Sequence, residues 1–323
     1  MKKILIIHTG GTIAMIEDKQ TGSVKPNEHH PLASIIPAIK DMADLKEDIF
    51  LNLPSPHITI AHMVKLASHI EQKITDDHIE GIVITHGTDT LEETAYLLDL
   101  IVQSDIPIVV TGAMRSSNEL GSDGPHNLVS SIRVALSEEA RGQGVLVVLN
   151  DEIHTAKNVT KTHSSNIATF QSPQYGPVGI VTKHRITFHH KPIRRDRYQV
   201  RELKKNVILL KAFAGMDESL IEAISSSPIN GLVIEALGQG NLPPAVVPAL
   251  QKLLEQDIPI VLVSRCFNGI VQDVYGYDGG GKQLKEMGMI FSNGLNGQKA
   301  RIKLLVALET TESREKIQQM FYQ

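Results

Sequence analysis

The chain has 323 residues, a formal net charge of −4 and a hydrophobic content of 41%, values that are ordinary for a soluble globular protein with room for two domains. Cys266 is the only cysteine, which excludes an intramolecular disulfide and argues against a zinc site built from thiolates. The densest basic run, Arg194–Arg197, is too short for a nucleic-acid footprint, so we expect no nucleic-acid partner.

The first predicted element is a short buried strand, Lys3–His8, which ends in the polar turn Thr9–Thr12. Two adjacent glycines in this turn let the backbone bend sharply and let a ligand approach main-chain N–H groups, although a plain tight turn would use the same residues. The apolar run Ile4–Ile7 is shorter than the roughly 7–15 apolar residues of a signal peptide, and no segment approaches the roughly 20 apolar residues of a membrane helix. The sequence therefore predicts a cytoplasmic protein that binds no membrane.

A polar stretch without periodicity, Met15–Glu28, follows this turn and is predicted to be either a mobile flap or a passive loop. Beyond it, Ile49–Leu53 is a short predicted strand that stops at a Pro-Ser-Pro turn, whose second proline keeps Ser55 out of the helical region. Ile60–Ile74 then has the apolar spacing of an amphipathic helix.

The stretch Gly81–Glu93, GIVITHGTDTLEE, is the most informative part of the chain. Its β-branched opening, Gly81–Thr85, predicts a strand buried on both faces. The strand breaks at Gly87, and a helical pattern begins around Thr88 and Asp89. Open α/β sheets place their sites at the carboxyl ends of such strands, so we expect this hydroxyl and this carboxylate to belong to a catalytic site.

Two further buried strands, Ile106–Thr111 and Val145–Leu149, flank a predicted helix at Asn127–Glu138. Near-continuous apolar strands that alternate with helices predict a doubly wound, mostly parallel α/β sheet. Because right-handed crossovers place the loops after parallel strands along one edge, that edge should collect the polar loop residues. These residues are Thr12, Ser55, Thr88, Asp89 and Ala113, with the segment of Lys157 and Lys161 beyond them.

The second half of the chain predicts a separate, smaller domain. His184–Lys205 is dense in charge and is predicted to connect two domains, after which the alternation of strands and helices resumes. We therefore predict two α/β domains: a larger N-terminal catalytic domain over residues 1–190 and a C-terminal parallel α/β domain over residues 207–323. Residues 191–206 are predicted to be the linker.

The polar residues at the sheet edge point to acyl-group hydrolysis. No GxSxG elbow is present, and Cys266 has no obvious histidine partner, so threonine hydroxyls at strand ends are the best nucleophile candidates. A hydroxyl needs a base, and the backbone N–H groups of Gly11, Thr88 and Ala113 are candidate oxyanion donors because they lie at turns or helix starts. The alternative for Thr12 and Thr88 is helix capping alone.

Five motifs carry a resemblance to the bacterial L-asparaginases that runs nearly end to end. TGGTIA and HGTDT are specific when they occur together in this order, and NVTKT and QYGPVG are nearer to the type that is usually exported. The five motifs are TGGTIA at Thr9–Ala14, the stretch with HGTDT at Ile84–Asp99, TGA at Thr111–Ala113, SDGPHNL at Ser122–Leu128 and NVTKT at Asn158–Thr162. The similarity continues beyond them through QYGPVG at Gln174–Gly179.

This resemblance implies hydrolysis of L-asparagine to L-aspartate and ammonia through an acyl-enzyme, without a metal or an organic cofactor. Thr12 matches the family's nucleophile, and Thr88, Asp89 and Lys161 match its hydrogen-bonded relay. Lys161 would act either as a neutral base or as a charged group that orients the relay. Asp89 also matches the residue that holds the substrate's α-ammonium, and Ser55 the residue that binds its α-carboxylate.

The remaining family positions concern the oxyanion and the assembly. The backbone N–H groups of Thr88 and Ala113 match the oxyanion hole, with Gly11 beside them. Asn241 matches a residue that comes from a neighbouring subunit, which implies a homotetramer built from close dimers, or a homodimer, with sites shared between subunits.

Three departures from the family pattern leave alternatives open. Thr21–Lys25 stands where the family's flap carries a tyrosine, Pro56 replaces a frequent glutamine, and Gly269–Gly281 offers no clear match to a second-domain glutamate. The first departure raises the alternative of a catalytically weak amino-acid-binding homologue. The other two raise the alternative of a glutaminase-asparaginase with relaxed specificity.

Overall fold

The computed structural model describes residues 1–26 and 36–322 of the chain. These residues form two compact units, Met1–Gln199 and Val200–Gln323. The linker predicted over residues 191–206 stays a prediction. Part of the predicted flap, residues 27–28, lies outside the described residues.

The first unit contains a central eight-stranded sheet and two short two-stranded sheets. Its strands are β1 Lys3–Gly10, β2 Met15–Glu17, β3 Val24–Pro26, β4 Asp44–Leu53, β5 Gly81–Thr85, β6 Ile108–Thr111, β7 Val145–Leu149, β8 Glu152–Thr155, β9 Thr160–Lys161, β10 Phe170–Gln171, β11 Gly179–Val181 and β12 Ile186–Phe188. Its α-helices are α1 Ile36–Ile39, α2 Ile60–Asp77, α3 Leu91–Ile101 and α4 Gly124–Leu136.

The central sheet has the order β12-β11-β8-β7-β6-β5-β1-β4. Its strands from β7 to β4 pair in parallel, and β8, β11 and β12 continue the sheet in antiparallel pairs. This mostly parallel sheet confirms the predicted fold class of the N-terminal half.

Burial of β-branched side chains stabilises the central strands of this sheet. Every residue of β5 and β7 is buried, which requires cover on both faces. Val83 and Val109 share one core cluster with Leu128 and Ile132 of α4. Each such aliphatic side chain contributes about 1.5–3 kcal/mol of stability when it is fully removed from water.

The structure extends or adds strands that the sequence patterns missed. The strand predicted at Ile49–Leu53 begins at Asp44, where charged side chains on an edge strand hide the pattern. The strands β8, β9, β10 and β12, which are only two to four residues long, lie where the sequence analysis predicts no strand. Strands this short cannot display an alternating pattern.

The second unit contains a four-stranded parallel sheet in the order β13-β14-β15-β16, which confirms the smaller parallel α/β fold. The strands are β13 Val207–Lys211, β14 Gly231–Ala236, β15 Ile260–Ser264 and β16 Ile290–Phe291, and the helices are α5 Ser219–Ser225, α6 Val247–Glu255, α7 Gly281–Glu286, α8 Gly297–Thr310 and α9 Arg314–Tyr322. This unit has its own apolar core, which includes Leu232, Leu250 and Leu262. Within residues 1–26 and 36–322, none of the helices has the length and apolar character needed to cross a membrane.

Candidate active site

The register of three parallel strand pairs brings the predicted site loops to one edge of the sheet. β1 lies between β4 and β5, and β6 lies on the other side of β5. His8 pairs with Thr85, and Thr85 pairs with Thr111. The loops that follow these strands therefore start side by side, as the sequence predicts.

Two glycines allow three of these loops to touch. Gly11 has a φ angle of +85°, and a Cβ atom placed on it would lie 2.2 Å from the Cα atom of Gly87. A Cβ atom on Gly87 would lie 2.6 Å from the Cβ atom of Ser55. Only glycine permits both approaches, and Gly11 also occupies the left-handed region that favours glycine. The segment that carries Thr12 is thus pressed against the loop that carries Thr88.

Lys161 bonds Thr88 and Asp89, the two residues of the turn that precedes α3 and its N-cap Thr90. Its Nζ atom donates hydrogen bonds to Thr88 Oγ1 at 2.9 Å and to Asp89 Oδ1 at 2.8 Å. Thr88 is buried, whereas the side chain of Asp89 is 60% exposed. Bonds from an ammonium group are stronger than neutral ones, so these three side chains form a tightly held group whose carboxylate still faces the solvent.

Ser55 is bound to the same helix start from the other side. Its Oγ atom accepts a hydrogen bond from the backbone N–H of Asp89 at 3.2 Å, and its carbonyl oxygen accepts one from Thr90 Oγ1 at 2.9 Å. Only 4% of Ser55 is exposed. The accepting oxygen leaves the hydroxyl proton of Ser55 available for a ligand oxygen.

A fully buried histidine fixes the turn before Thr88. The Nδ1–H group of His86 donates to the carbonyl oxygen of Gly87 at 2.8 Å, and Nε2 accepts from Thr94 Oγ1 at 2.8 Å. Burial lowers the pKa of His86 to about 4, and the hydrogen bond to Gly87 opposes this shift only in part. His86 is therefore neutral at physiological pH and serves as a brace for the loop.

The loop after β6 places Ala113 beside Thr88. A Cβ atom on Gly112 would lie 3.2 Å from the Thr88 methyl carbon, so these two loops are in contact. Asn127 Nδ2 donates to the Gly112 carbonyl oxygen at 3.0 Å, and Asp123 accepts the N–H of Met114 at 3.0 Å. Both bonds hold the backbone around Ala113, the predicted oxyanion donor.

The described part of the predicted flap is a β-hairpin, not an irregular loop. Its strands β2 and β3 pair in antiparallel fashion directly after the turn that begins at Thr12. Ser117, in the loop after Ala113, donates through its N–H and its hydroxyl to the carbonyl oxygen of Met15 at 3.1 and 2.8 Å. This hairpin is therefore attached to the loop that follows the oxyanion position.

Asn241 is the one predicted site residue that lies in the second unit. Its Oδ1 atom accepts the N–H of Gly281 at 3.1 Å, and its backbone pairs with Leu237. These bonds fix the turn after β14 to the start of α7. The substrate-binding role that the resemblance gives to Asn241 stays a prediction.

The structure also brings together residues that the sequence analysis did not single out. A cavity of about 410 Å³ beside Asp89 and Lys161 is lined by Glu92, Thr162, His163 and Ser164 as well. Glu92 is the second residue of α3, where an acidic side chain is common because it complements the helix dipole. Because an acidic residue is ordinary at this position, the sequence gives no sign that Glu92 has any further role.

In the part of the chain that the structure describes, no cluster of three His, Cys, Asp or Glu residues is arranged to hold a metal ion.

The site combines a threonine hydroxyl, a lysine amine, a carboxylate and loop N–H groups, which are the kinds of group that an amidohydrolase uses. Family models agree with this class. The Asparaginase N-terminal model matches residues 3–194, and the Glutaminase/Asparaginase C-terminal domain model matches residues 206–321. The chain belongs to the bacterial L-asparaginase family.

Individual relatives match over the whole length. The chain is 39% identical to a probable L-asparaginase from Deinococcus radiodurans over 100% of this chain and 98% of the relative. It is 36% identical to L-asparaginase 2 from Escherichia coli over 100% of this chain and 93% of the relative. A probable cytoplasmic L-asparaginase from Campylobacter jejuni superimposes with a TM-score of 0.90 at 32% identity over 100% of both chains.

Proposed function

We propose that this protein hydrolyses L-asparagine to L-aspartate and ammonia through a threonyl acyl-enzyme. The single observation that carries the proposal is the group formed by Lys161, Thr88 and Asp89, in which the lysine amine bonds both partners at 2.9 and 2.8 Å. Membership of the L-asparaginase family supports the same reaction with a small-molecule substrate.

In the first half-reaction, Thr12 Oγ1 forms a bond with the side-chain amide carbon of the substrate. The hydroxyl proton of Thr12 passes to the amide nitrogen through the relay of Thr88, Asp89 and Lys161. The C–N bond then breaks, and ammonia leaves. Backbone N–H groups of Gly11, Thr88 and Ala113 stabilise the oxyanion of the tetrahedral intermediate. In the second half-reaction, water adds to the threonyl ester, aspartate leaves, and Thr12 recovers its proton.

Two side chains are suited to hold the charged groups of the amino acid. The exposed carboxylate of Asp89 would bind the α-ammonium group, and the hydroxyl of Ser55 would bind the α-carboxylate. Because the Asp89 N–H donates to Ser55 Oγ at 3.2 Å, the two groups are set at a fixed spacing. This spacing selects an α-amino acid amide over a simple amide.

An ammonia-release assay with asparagine and glutamine tests the reaction and its specificity. We expect turnover of asparagine, with a clear excess over glutamine. Comparable release from glutamine would favour the glutaminase-asparaginase alternative, for which Pro56 after Ser55 is the motivating departure. Substrate binding without turnover would favour a catalytically weak homologue, for which the absence of a tyrosine from Met15–Lys25 is the motivating departure.

Substitution of the nucleophile tests the acyl-enzyme. In Thr12→Ala we expect kcat to fall by about 10³-fold or more while the fold is kept, because no hydroxyl remains to form the ester. Rapid quenching followed by mass spectrometry should detect the threonyl ester on a peptide that contains Thr12 in the wild type. An ester on Thr88 instead would overturn the assignment.

We also propose a cytoplasmic homo-oligomer, a tetramer or a dimer, with sites shared between subunits. The support is the family position matched by Asn241 and the named location of the Campylobacter jejuni structure. Asn241→Ala should raise KM without changing the fold, and light scattering should give the mass of a dimer or tetramer. A monomer with full activity would contradict shared sites.

A further inference from the structure

Glu92 is a buried acid that the reaction proposed above does not use. It stands on the first turn of α3, three residues after Asp89, and only 4% of its surface is exposed. A carboxylate is seldom buried this far unless hydrogen bonds replace its lost water. The hydrogen bonds that Glu92 accepts therefore indicate the structural role of its carboxylate.

Those bonds lead to the strand that carries Lys161. Glu92 Oε1 accepts a hydrogen bond from Thr160 Oγ1 at 3.0 Å and a second from the backbone N–H of Lys161 at 3.2 Å. Residues 160 and 161 constitute the whole of β9. One carboxylate oxygen thus contacts both residues of this strand.

The ladder between β9 and β10 leaves the Lys161 N–H group for another acceptor. Thr162 N–H donates to the Thr169 carbonyl oxygen at 2.8 Å, so residues 162 and 169 form a hydrogen-bonded pair. Antiparallel pairs alternate between bonded and non-bonded, so the N–H of Lys161, opposite Phe170, points away from β10. Glu92 supplies the acceptor on that side.

Glu92 and the relay residues Thr88 and Asp89 all lie at the N-terminal end of α3 or in the turn before it. Thr88 and Asp89 lie in the turn directly before α3, and Glu92 lies on the first turn of the helix, where the helix dipole favours a negative charge. The strand with Lys161 is therefore fixed to the same helix end that carries the partners of its side chain. We infer that Glu92 is a positioning residue that sets the lysine amine at 2.9 Å from Thr88 Oγ1 through its bonds to the backbone and neighbour of Lys161.

Three variants test this role, which rests on the proposed asparaginase reaction. Glu92→Leu removes the bonds to Thr160 Oγ1 and to the Lys161 N–H group and should lower kcat by about 10²-fold, because an error of about 1 Å in a catalytic group costs that much. KM should change less than about 3-fold, since Glu92 is not assigned to the substrate. Glu92→Gln keeps an acceptor oxygen and should restore kcat to within about 5-fold of wild type. Thr160→Val removes one bond with little change in shape and should fall between these two variants.

A matched control separates positioning from general stability. Glu71 on α2 accepts the backbone N–H of Gln103 at 2.8 Å, away from the relay residues in sequence. Glu71→Leu should lower the melting temperature without lowering kcat at a temperature where the protein is folded. The inference is overturned if Glu92→Leu and Thr160→Val leave kcat at the level of this control, or if Glu92→Gln is as impaired as Glu92→Leu.

A crystal structure of Glu92→Leu, or of Thr160→Val if the first variant does not fold, tests the geometry without any assay. The distance from Lys161 Nζ to Thr88 Oγ1 should exceed 3.5 Å, the limit of a hydrogen bond. An unchanged distance would overturn the inference even in an active enzyme. A wild-type protein that releases no ammonia from asparagine would instead contradict the proposed function and leave this distance test intact.

Discussion

The side-chain amide of Asn118 holds both backbone polar groups of Glu17. Its Oδ1 atom accepts the N–H of Glu17 at 2.8 Å, and its Nδ2 atom donates to the Glu17 carbonyl oxygen at 2.8 Å. Glu17 ends β2, the first strand of the hairpin after Thr12, and Asn118 lies in the loop after Ala113. The hairpin that follows Thr12 is therefore bonded to the loop that follows the predicted oxyanion donor Ala113. No tyrosine is present in this hairpin to contribute a contact of its own.

The first prediction concerns these two hydrogen bonds between Asn118 and Glu17. Asn118→Ala removes both bonds, so the hairpin should open more often and kcat should fall by roughly 10-fold, which corresponds to about 1.4 kcal/mol. Limited proteolysis should cut the hairpin faster in the variant. Asn206→Ala, which removes a side-chain bond in the second unit, serves as the control and should match wild type in both measurements. Equal cleavage rates of the hairpin in Asn118→Ala and wild type would contradict this prediction.

The second prediction concerns the close approach of Gly11 to Gly87. A methyl group on Gly11 would clash with the backbone 2.2 Å away and would also be strained at a φ angle of +85°. Gly11→Ala should therefore displace Thr12 and lower kcat by at least about 10²-fold. The control is Gly22→Ala, at a φ angle of +67° with open space around it, which isolates the strain from the clash. The prediction is wrong if both variants lose the same activity, as measured by steady-state kinetics on folded protein.

Sequence patterns predicted the centre of the fold because its strands are apolar along their whole length. GIVIT at Gly81–Thr85 and VLVVL at Val145–Leu149 have the same bounds in the structure as in the prediction. The edge strand β4 and the short strands β8, β11 and β12 were missed or shortened because exposed and brief strands show no clear period. Their positions depend on pairing with neighbours, which no local pattern encodes.

The sequence likewise predicted one part of the site and missed another. Motifs indicated Thr88, Asp89 and Lys161 as one group, and the structure joins these three by hydrogen bonds. Lys161 lies 72 residues from Asp89 in the sequence, so the resemblance to a family, and not the spacing of residues, supplied this pairing. The sequence does not reveal Glu92 because one of its partners is a backbone N–H group, and the other, Thr160, lies 68 residues away.

The third prediction separates the relay from substrate binding. Lys161→Met removes the amine that bonds Thr88 and Asp89, so kcat should fall by about 10²–10⁴-fold, the range expected for loss of a proton-transfer group. KM should not rise, because the lost amine bonds the same Asp89 carboxylate that is assigned to the substrate's α-ammonium group. Lys183→Met, at an exposed lysine of the same unit, should keep wild-type kinetics. A raised KM with an unchanged kcat would place Lys161 in substrate binding instead.

The fourth prediction concerns the pH dependence of stability, to which two buried histidines beside the site, His8 and His86, contribute. Burial lowers the pKa of His86 and of His8 to about 4 from the usual 6.5, although the Asp48 carboxylate partly opposes the shift at His8. Between these values the unfolded chain binds protons that the folded protein does not, so folding becomes less favourable as the pH falls. The stabilisation from each neutral histidine is complete above pH 6.5 and is lost progressively down to pH 4, by up to about 1.4 kcal/mol per pH unit.

Urea unfolding at pH 7.0, 6.0 and 5.0 measures this loss. In His86→Gln one titrating group is absent, so the free energy of unfolding should fall less steeply over this range than in wild type, whatever its absolute value at pH 7. His184→Gln, at an exposed histidine, should keep the wild-type slope. A slope in His86→Gln that equals the wild-type slope would mean that His86 takes up its proton as readily in the folded protein as in the unfolded chain as the pH falls from 7 to 5. That result would contradict the Nδ1–H bond to Gly87 as the brace of a neutral ring, because the doubly protonated ring could no longer accept from Thr94 Oγ1.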